Sequence, residues 1–193
     1  MNPLRSVSGT IISGFVLAAI LALIATTLGN PAWTIIVWLH VFAGVIWIGL
    51  LYYFNFVQVP ATGVAAADSD GPGPAAIGKY VAPLALLWFR WGALATWLTG
   101  AAALTYVGGF STHFFATSGV TTIGIGAWLG TIMLFNVWVL IWPNQKKVLG
   151  MVQASAEEIA SAKNVALLAS RTNTLLSIPM LMCMVGHGHG LTI

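Results

Sequence analysis

Five long runs of apolar residues, separated by short polar or glycine- and proline-rich breaks, set the pattern of this chain. A bilayer core needs roughly 20 mostly apolar residues per helix. The runs therefore predict five spanning helices near 7–28, 32–59, 79–107, 120–142 and 165–190. Gly29, Asn30 and Pro31 close the first, Pro60 the second and Pro143 the fourth. The Gly/Pro/Asp-rich stretch 61–78 reads as a loop. The stretch 144–164, with Glu157, Glu158 and Lys163, reads as a polar link carrying a surface helix. Arg5 precedes the first run as a basic residue precedes a signal peptide, but the run is long enough to span, so a retained helix is expected. The pattern thus predicts an all-α polytopic transmembrane bundle, organised as a single domain over 1–193.

Composition supports that reading. The chain is 59% hydrophobic and 6% charged, against about 25% charged in a soluble domain. The net charge of +3 arises from very few ionisable groups, which gives no basic patch for nucleic acid. Cys183 is the one cysteine, so there is neither an internal disulfide framework nor a Cys-x-x-Cys-His haem-attachment motif. Where the charges fall sets an orientation. Arg5, Lys79, Lys146, Lys147 and Lys163 lie on the N-terminal side of the alternating spans, and the links at 29–31 and 108–119 contain no lysine or arginine. The positive-inside rule then places the N-terminus in the cytoplasm and the C-terminus outside.

Candidate chemistry concentrates on the outer half. His40 lies about eight residues into the second span, roughly 12 Å deep. His113 falls in the following outer link, where an ordinary surface or interface histidine is expected, and His187 and His189 stand at the end of the fifth span. Ionisable groups inside a membrane usually serve a function, and imidazole is a common ligand of metals and of haem iron. Gly44, one turn after His40, would leave room for a flat macrocycle. Met180, Cys183, Met184 and His187 share a helical face. Three readings of that face stand together: His187 or His189 as a second axial haem ligand, a Cu(I) site using Met184 with sulfur and imidazole donors, or plain methionine-rich packing.

Arg90 lies deep in the third span, and no acidic residue falls within any span. Its charge calls for an anion such as a haem propionate or a bound acid, or for helix carbonyls or water. Arg171 can snorkel to the inner surface. Asn55, Asn136 and Asn173 are expected to make interhelical hydrogen bonds. Gly126-Ala-Trp-Leu-Gly130 and the Gly92, Thr96, Gly100 repeat read as close-packing stripes. Soluble catalytic motifs are missing: there is no nucleophile elbow, P-loop or dinucleotide fingerprint.

Several of these segments resemble a known family. Trp38-Leu-His40-Val-Phe-Ala-Gly44-Val-Ile-Trp47-Ile-Gly49 resembles the histidine-bearing helix of the membrane-anchored bacterial urate oxidases (urate hydroxylases). Trp88-Phe-Arg90-Trp91 with Thr96-Trp97-Leu-Thr-Gly100 resembles the next helix. The stretch from Asn136 through Trp142-Pro143-Asn144-Gln145-Lys146-Lys147, and Ser170-Arg171-Thr-Asn173 continuing to Pro179-Met, are similar to later ones. The histidine helix is more distantly similar to the haem-binding membrane protoporphyrinogen oxidases. The resemblance implies a bacterial inner-membrane domain with haem b or another redox centre, passing electrons toward a cytochrome c or another redox subunit. The cytochrome c domain that follows the membrane part in the full family is expected to be lacking here. Carried over by position, Asn144, Lys146, Lys147, Arg171 and Asn173 would contact substrate, with His40 and Arg90 at the redox centre.

Four functions follow as expectations. The first is a haem-binding redox protein, an oxidoreductase if an organic substrate is oxidised at the centre. The others are a non-catalytic anchor within an oligomer or membrane complex, a copper-handling protein, and an organic-anion-handling bundle.

Overall fold

The computed structural model describes residues 2–24 and 30–193, and among them the secondary structure is helical with no strand. Five helices are long and apolar enough to cross a membrane: α1 (Val7–Ile24), α2 (Pro31–Ala67), α3 (Ile77–Tyr106), α5 (Thr122–Val148) and α6 (Ala156–His187). A one-turn helix, α4 (Phe110–Phe114), lies in the link between α3 and α5. This is the build of a membrane protein. The expected end of the first span, at 25–28, and its Gly29 terminator lie outside the described residues.

The chain divides into two compact units, residues 1–35 and 36–193. In the first unit, α1 buries none of its side chains. A helix that is apolar on every side belongs in lipid or inside a larger protein. Asn30 caps the start of α2 through bonds from the Ala32 and Trp33 amides (3.1 and 3.3 Å), and Pro31 takes the first helical position, where its missing N–H costs nothing.

In the second unit, α2, α3, α5 and α6 pack around one core, each antiparallel to its neighbours. His40 meets Thr96 and Phe54 meets Phe89, so α2 and α3 run in opposite directions. Trp97 donates to Thr131 and Trp91 stacks edge-on against Trp138, which pairs α3 with α5. Gly126 faces Cys183 and Asn136 bonds Asn173, which pairs α5 with α6. Tyr52 bonds Ser177 and Asn55 bonds Ser170, which returns α6 to α2. Trp47, Leu51, Phe89, Ala93, Met133 and Val137 fill the centre and are almost wholly buried. The buried face of α6 is unusually small: Ala162, Ala166, Ala169, Asn173 and Ser177 let α5 come close.

Proline placement departs from the sequence expectation. Pro60 and Pro143 do not end their helices; α2 runs on to Ala67 and α5 to Val148. A wide π-helical turn precedes each of them, at Phe54–Gln58 and Asn136–Ile141, and another at Ile77–Val81 precedes Pro83. Proline clashes with the carbonyl four residues back and cannot bond it. In all three cases that carbonyl (Phe56, Lys79, Val139) lies inside the widened turn, which makes room for the ring. Pro179 sits in α6 without such a turn. The expected polar link also shrinks. Ser155 and Glu158 form a capping box that starts α6 at Ala156, with Glu157 and Glu158 at the positive end of the helix.

The two glycines of Gly126-Ala-Trp-Leu-Gly130 are not equivalent. A methyl at Gly126 would stand 3.0 Å from Cys183 Cβ and 3.2 Å from Met184 Cε, whereas one at Gly130 would meet nothing within 4 Å. Gly126→Ala should therefore destabilise the folded protein by about 1–3 kcal/mol, and Gly130→Ala should be near neutral. Reversible unfolding in mixed detergent micelles checks this; equal effects would contradict the packing described.

Candidate functional site

His40 is held by the backbone of the facing helix. Its Nδ1 lies 2.8 Å from the Thr96 carbonyl oxygen and 3.3 Å from Thr99 Oγ1. A carbonyl only accepts, so Nδ1 carries the proton and Nε2 keeps its lone pair. The Thr99 hydroxyl hydrogen goes to the Ala95 or Thr96 carbonyl (2.7 and 3.0 Å), which leaves its oxygen facing the imidazole. Thr96 itself is tied down by its own bond to the Gly92 carbonyl, 2.7 Å. Access to the Thr96 carbonyl depends on Gly100, one turn further along α3. A methyl there would fall 2.8 Å from His40 Cε1. The Gly92, Thr96, Gly100 stripe is thus a seat for His40 as well as a packing surface. Thr99 lies off the spacing-four repeat, and nothing in the sequence marks it as a partner of His40.

Gly44 also turns toward α3, where a methyl would meet Thr96 Cγ2 at 3.8 Å. Trp47, seven residues beyond His40, is sealed in the core with no partner for its indole N–H among the described residues.

Arg90 sits on another side of α3, against α5. Its guanidinium carbon is 3.8 Å from the centre of the Trp142 indole, and Lys146 Nζ is 5.9 Å from the same ring. An aromatic face, rather than an acidic side chain, therefore stands against it. Six residues separate Arg90 from Thr96, which sets them about 120° apart around the helix. Arg90 and the seat of His40 do not share a face.

The positions expected to contact substrate are scattered. Asn144 bonds the Leu140 carbonyl within its own helix (2.8 Å), and Lys147 pairs with Glu158 across the α5–α6 link at 3.5 Å. Arg171 is exposed. Asn173 is fully buried; it accepts from Asn136 Nδ2 (2.8 Å) and donates to the Met133 carbonyl (2.9 Å). That asparagine pair joins α5 to α6, as expected of interhelical hydrogen bonds, while Asn55 reaches Ser170 instead.

At the far end of α6, Met180 and Cys183 are buried, and Cys183 and Met184 close on Gly126. His187, on the same helical face, stands beside His113, with ring centres 6.1 Å apart. His189 is exposed, and its Nδ1 bonds the Val185 carbonyl. His113 is buried rather than superficial: Nε2–H donates to the Val107 carbonyl (3.1 Å) and Nδ1 accepts from the Thr121 hydroxyl (3.0 Å). Among the described residues, no three His, Cys, Asp or Glu side chains converge as a metal-binding group, and no ring contact joins His40 to His187 or His189.

Comparison with known proteins gives one similarity. A family model described as urate oxidase N-terminal matches residues 103–193. That stretch contains the Asn136–Lys147 and Ser170–Met180 segments, His187 and His189, while His40 and Arg90 lie before it. No curated protein and no solved structure matches the chain. The later part of this membrane bundle is therefore similar to the N-terminal region of urate oxidases.

The hydrogen bonds give opposite tautomers to His40 and His113. In ¹⁵N spectra of histidine-labelled protein above neutral pH, His40 should show a protonated Nδ1 and His113 a protonated Nε2, each assigned through its glutamine variant. A protonated Nε2 on His40 would contradict the site as described.

Proposed function

We propose that this protein is a membrane redox protein of the urate oxidase kind, in which His40 would hold a b-type haem through Nε2. The observation that carries this reading is the fixed Nδ1–H of His40 on the Thr96 carbonyl. Imidazoles that bind metals commonly donate their other N–H to a carbonyl or carboxylate, which sets the ring's orientation and strengthens the free nitrogen as a donor. His40 meets that requirement of donor chemistry from within a span, where an ionisable side chain rarely lies without purpose. The similarity of residues 103–193 to the N-terminal region of urate oxidases supports a redox role. A haem bound here would supply one-electron transfer. The chain's part is to hold the ring, fix its proton and exclude water through the packed α2–α3 seam.

In this reading His187 and His189 are the other residues that would hold the group, and the structure sets His187 beside His113. Lys79, Lys146, Lys147 and Lys163 all fall near the ends where α2 and α5 stop and α3 and α6 begin. That end faces the cytoplasm of a bacterial inner membrane by the positive-inside rule, and the His40 end faces the periplasm, where a cytochrome c would take up electrons.

The test is the visible spectrum of detergent-purified protein, oxidised and dithionite-reduced, with pyridine haemochrome and metal analysis. A reduced b-type spectrum is expected, abolished in His40→Ala and weakened in Gly100→Ala, whose methyl crowds the imidazole. A colourless, folded protein without bound metal would overturn the reading and favour a non-catalytic subunit.

A further inference from the structure

Arg90 is a charge with an unfinished environment. It lies 13 residues into α3, roughly 20 Å along the helix from Ile77. Trp142 covers one face of its guanidinium, but no hydrogen bond or ion pair engages its N–H edge among the described residues. Guanidinium carries five in-plane donors, and stacking leaves them all unused. The four acids of the chain offer no remedy: Asp68, Asp70 and Glu157 stand exposed outside the core, and Glu158 is paired with Lys147. Lys146 adds a second cation over the same indole, one helical turn beyond Trp142. Two cations meet one aromatic ring with no anion between them.

Depth narrows what completes the group. Trp142 lies six residues before the end of α5 at Val148, about 9 Å. α5 has 27 residues and is about 40 Å long, some 10 Å more than a bilayer core. Trp142 thus stands toward the headgroup side of the hydrocarbon core, with Lys146 nearest the boundary, and the long Arg90 side chain reaches the ring from nearer the middle of α3.

We propose that Arg90 and Lys146, arranged on Trp142, form a binding site for a phosphate-class anion at that boundary. The guanidinium edge offers a fork to two phosphate oxygens, and the Lys146 ammonium a single charge to a third. The indole keeps the guanidinium in place and shields it from lipid. The site is separate from the seat of His40 and does not depend on a haem. Its occupant is either the phosphate of an anionic lipid headgroup or a soluble phosphate.

The experiment uses the full chain, delipidated in detergent and titrated in native mass spectrometry with dioleoylphosphatidylglycerol or dioleoylphosphatidylcholine. A parallel arm measures the thermal unfolding midpoint with and without inorganic phosphate. A lipid source predicts that the first phosphatidylglycerol binds about tenfold more tightly than phosphatidylcholine. That preference should be lost in Arg90→Gln, reduced in Lys146→Gln and kept in Lys79→Gln. A soluble source predicts no lipid preference but a phosphate-dependent rise in midpoint that Arg90→Gln removes. Circular dichroism confirms folding, and Lys146→Gln, near the helix end, carries the test if Arg90→Gln fails to fold. Absence of both effects in the parent protein, or their survival in both variants, would overturn the proposal.

Discussion

Inside a bilayer there is no water to satisfy a polar group, so each one must find its partner in the chain or in a ligand. That constraint organises this bundle. Asn173 can be fully buried because Asn136 and the Met133 carbonyl meet both ends of its amide. The Ser177 hydroxyl donates to the Thr174 carbonyl, so the bond with Tyr52 runs from the phenol to Ser177 and ties α2 to α6. His40 obeys the same rule on one nitrogen only. Its Nδ1–H is placed on a backbone oxygen, while Nε2 is left with a lone pair. Arg90 obeys it on one face only, where Trp142 stands. The buried indole N–H groups of Trp47 and Trp138 and the Gln58 Oε1 also lack a partner among the described residues, but His40 and Arg90 are the ionisable groups left half-satisfied, and they are where the chain points to something outside itself.

The two groups occupy different faces of α3, and this separation shapes the functional account. A haem on His40 with Arg90 serving its propionate would require the two to act together. The structure instead turns Arg90 toward α5 and the seat of His40 toward α2. The redox reading therefore draws its geometry from His40, Thr96, Thr99 and Gly100. The π-helical turns also separate function from packing. Each accommodates a proline through a widened turn, and Asn136, which opens one of them, supplies a donor to the buried pair with Asn173. Widened turns often occur at functional sites; here proline geometry and an interhelical bond account for this one.

How much of this was legible in the sequence varies by residue. Hydropathy located all five long helices because bilayer thickness fixes their length. Helix ends were read less well. Proline normally stops a helix, and nothing in the residues around Pro60 or Pro143 announces the wide turn that lets the helix continue. Ser155 and Glu158 do spell a capping box, but the hydropathy pattern favoured a later start for α6. His40 was visible as a lone imidazole in a span. Its partner was not, because a backbone carbonyl has no sequence signature; only Gly100, four residues after Thr96, hinted at close approach. The Arg90–Trp142 stack joins residues 52 positions apart, and the expectation of an anion overlooked an aromatic neighbour.

The central claim is that His40 presents Nε2 as a ligand rather than serving only to join two helices. The most direct measurement is chemical rescue: replace His40 with glycine, add free imidazole, and follow the haem spectrum during titration. A ligand role predicts that the variant lacks the bound-haem spectrum and regains it as imidazole fills the vacated space. A variant that keeps the parent spectrum without imidazole would contradict the account.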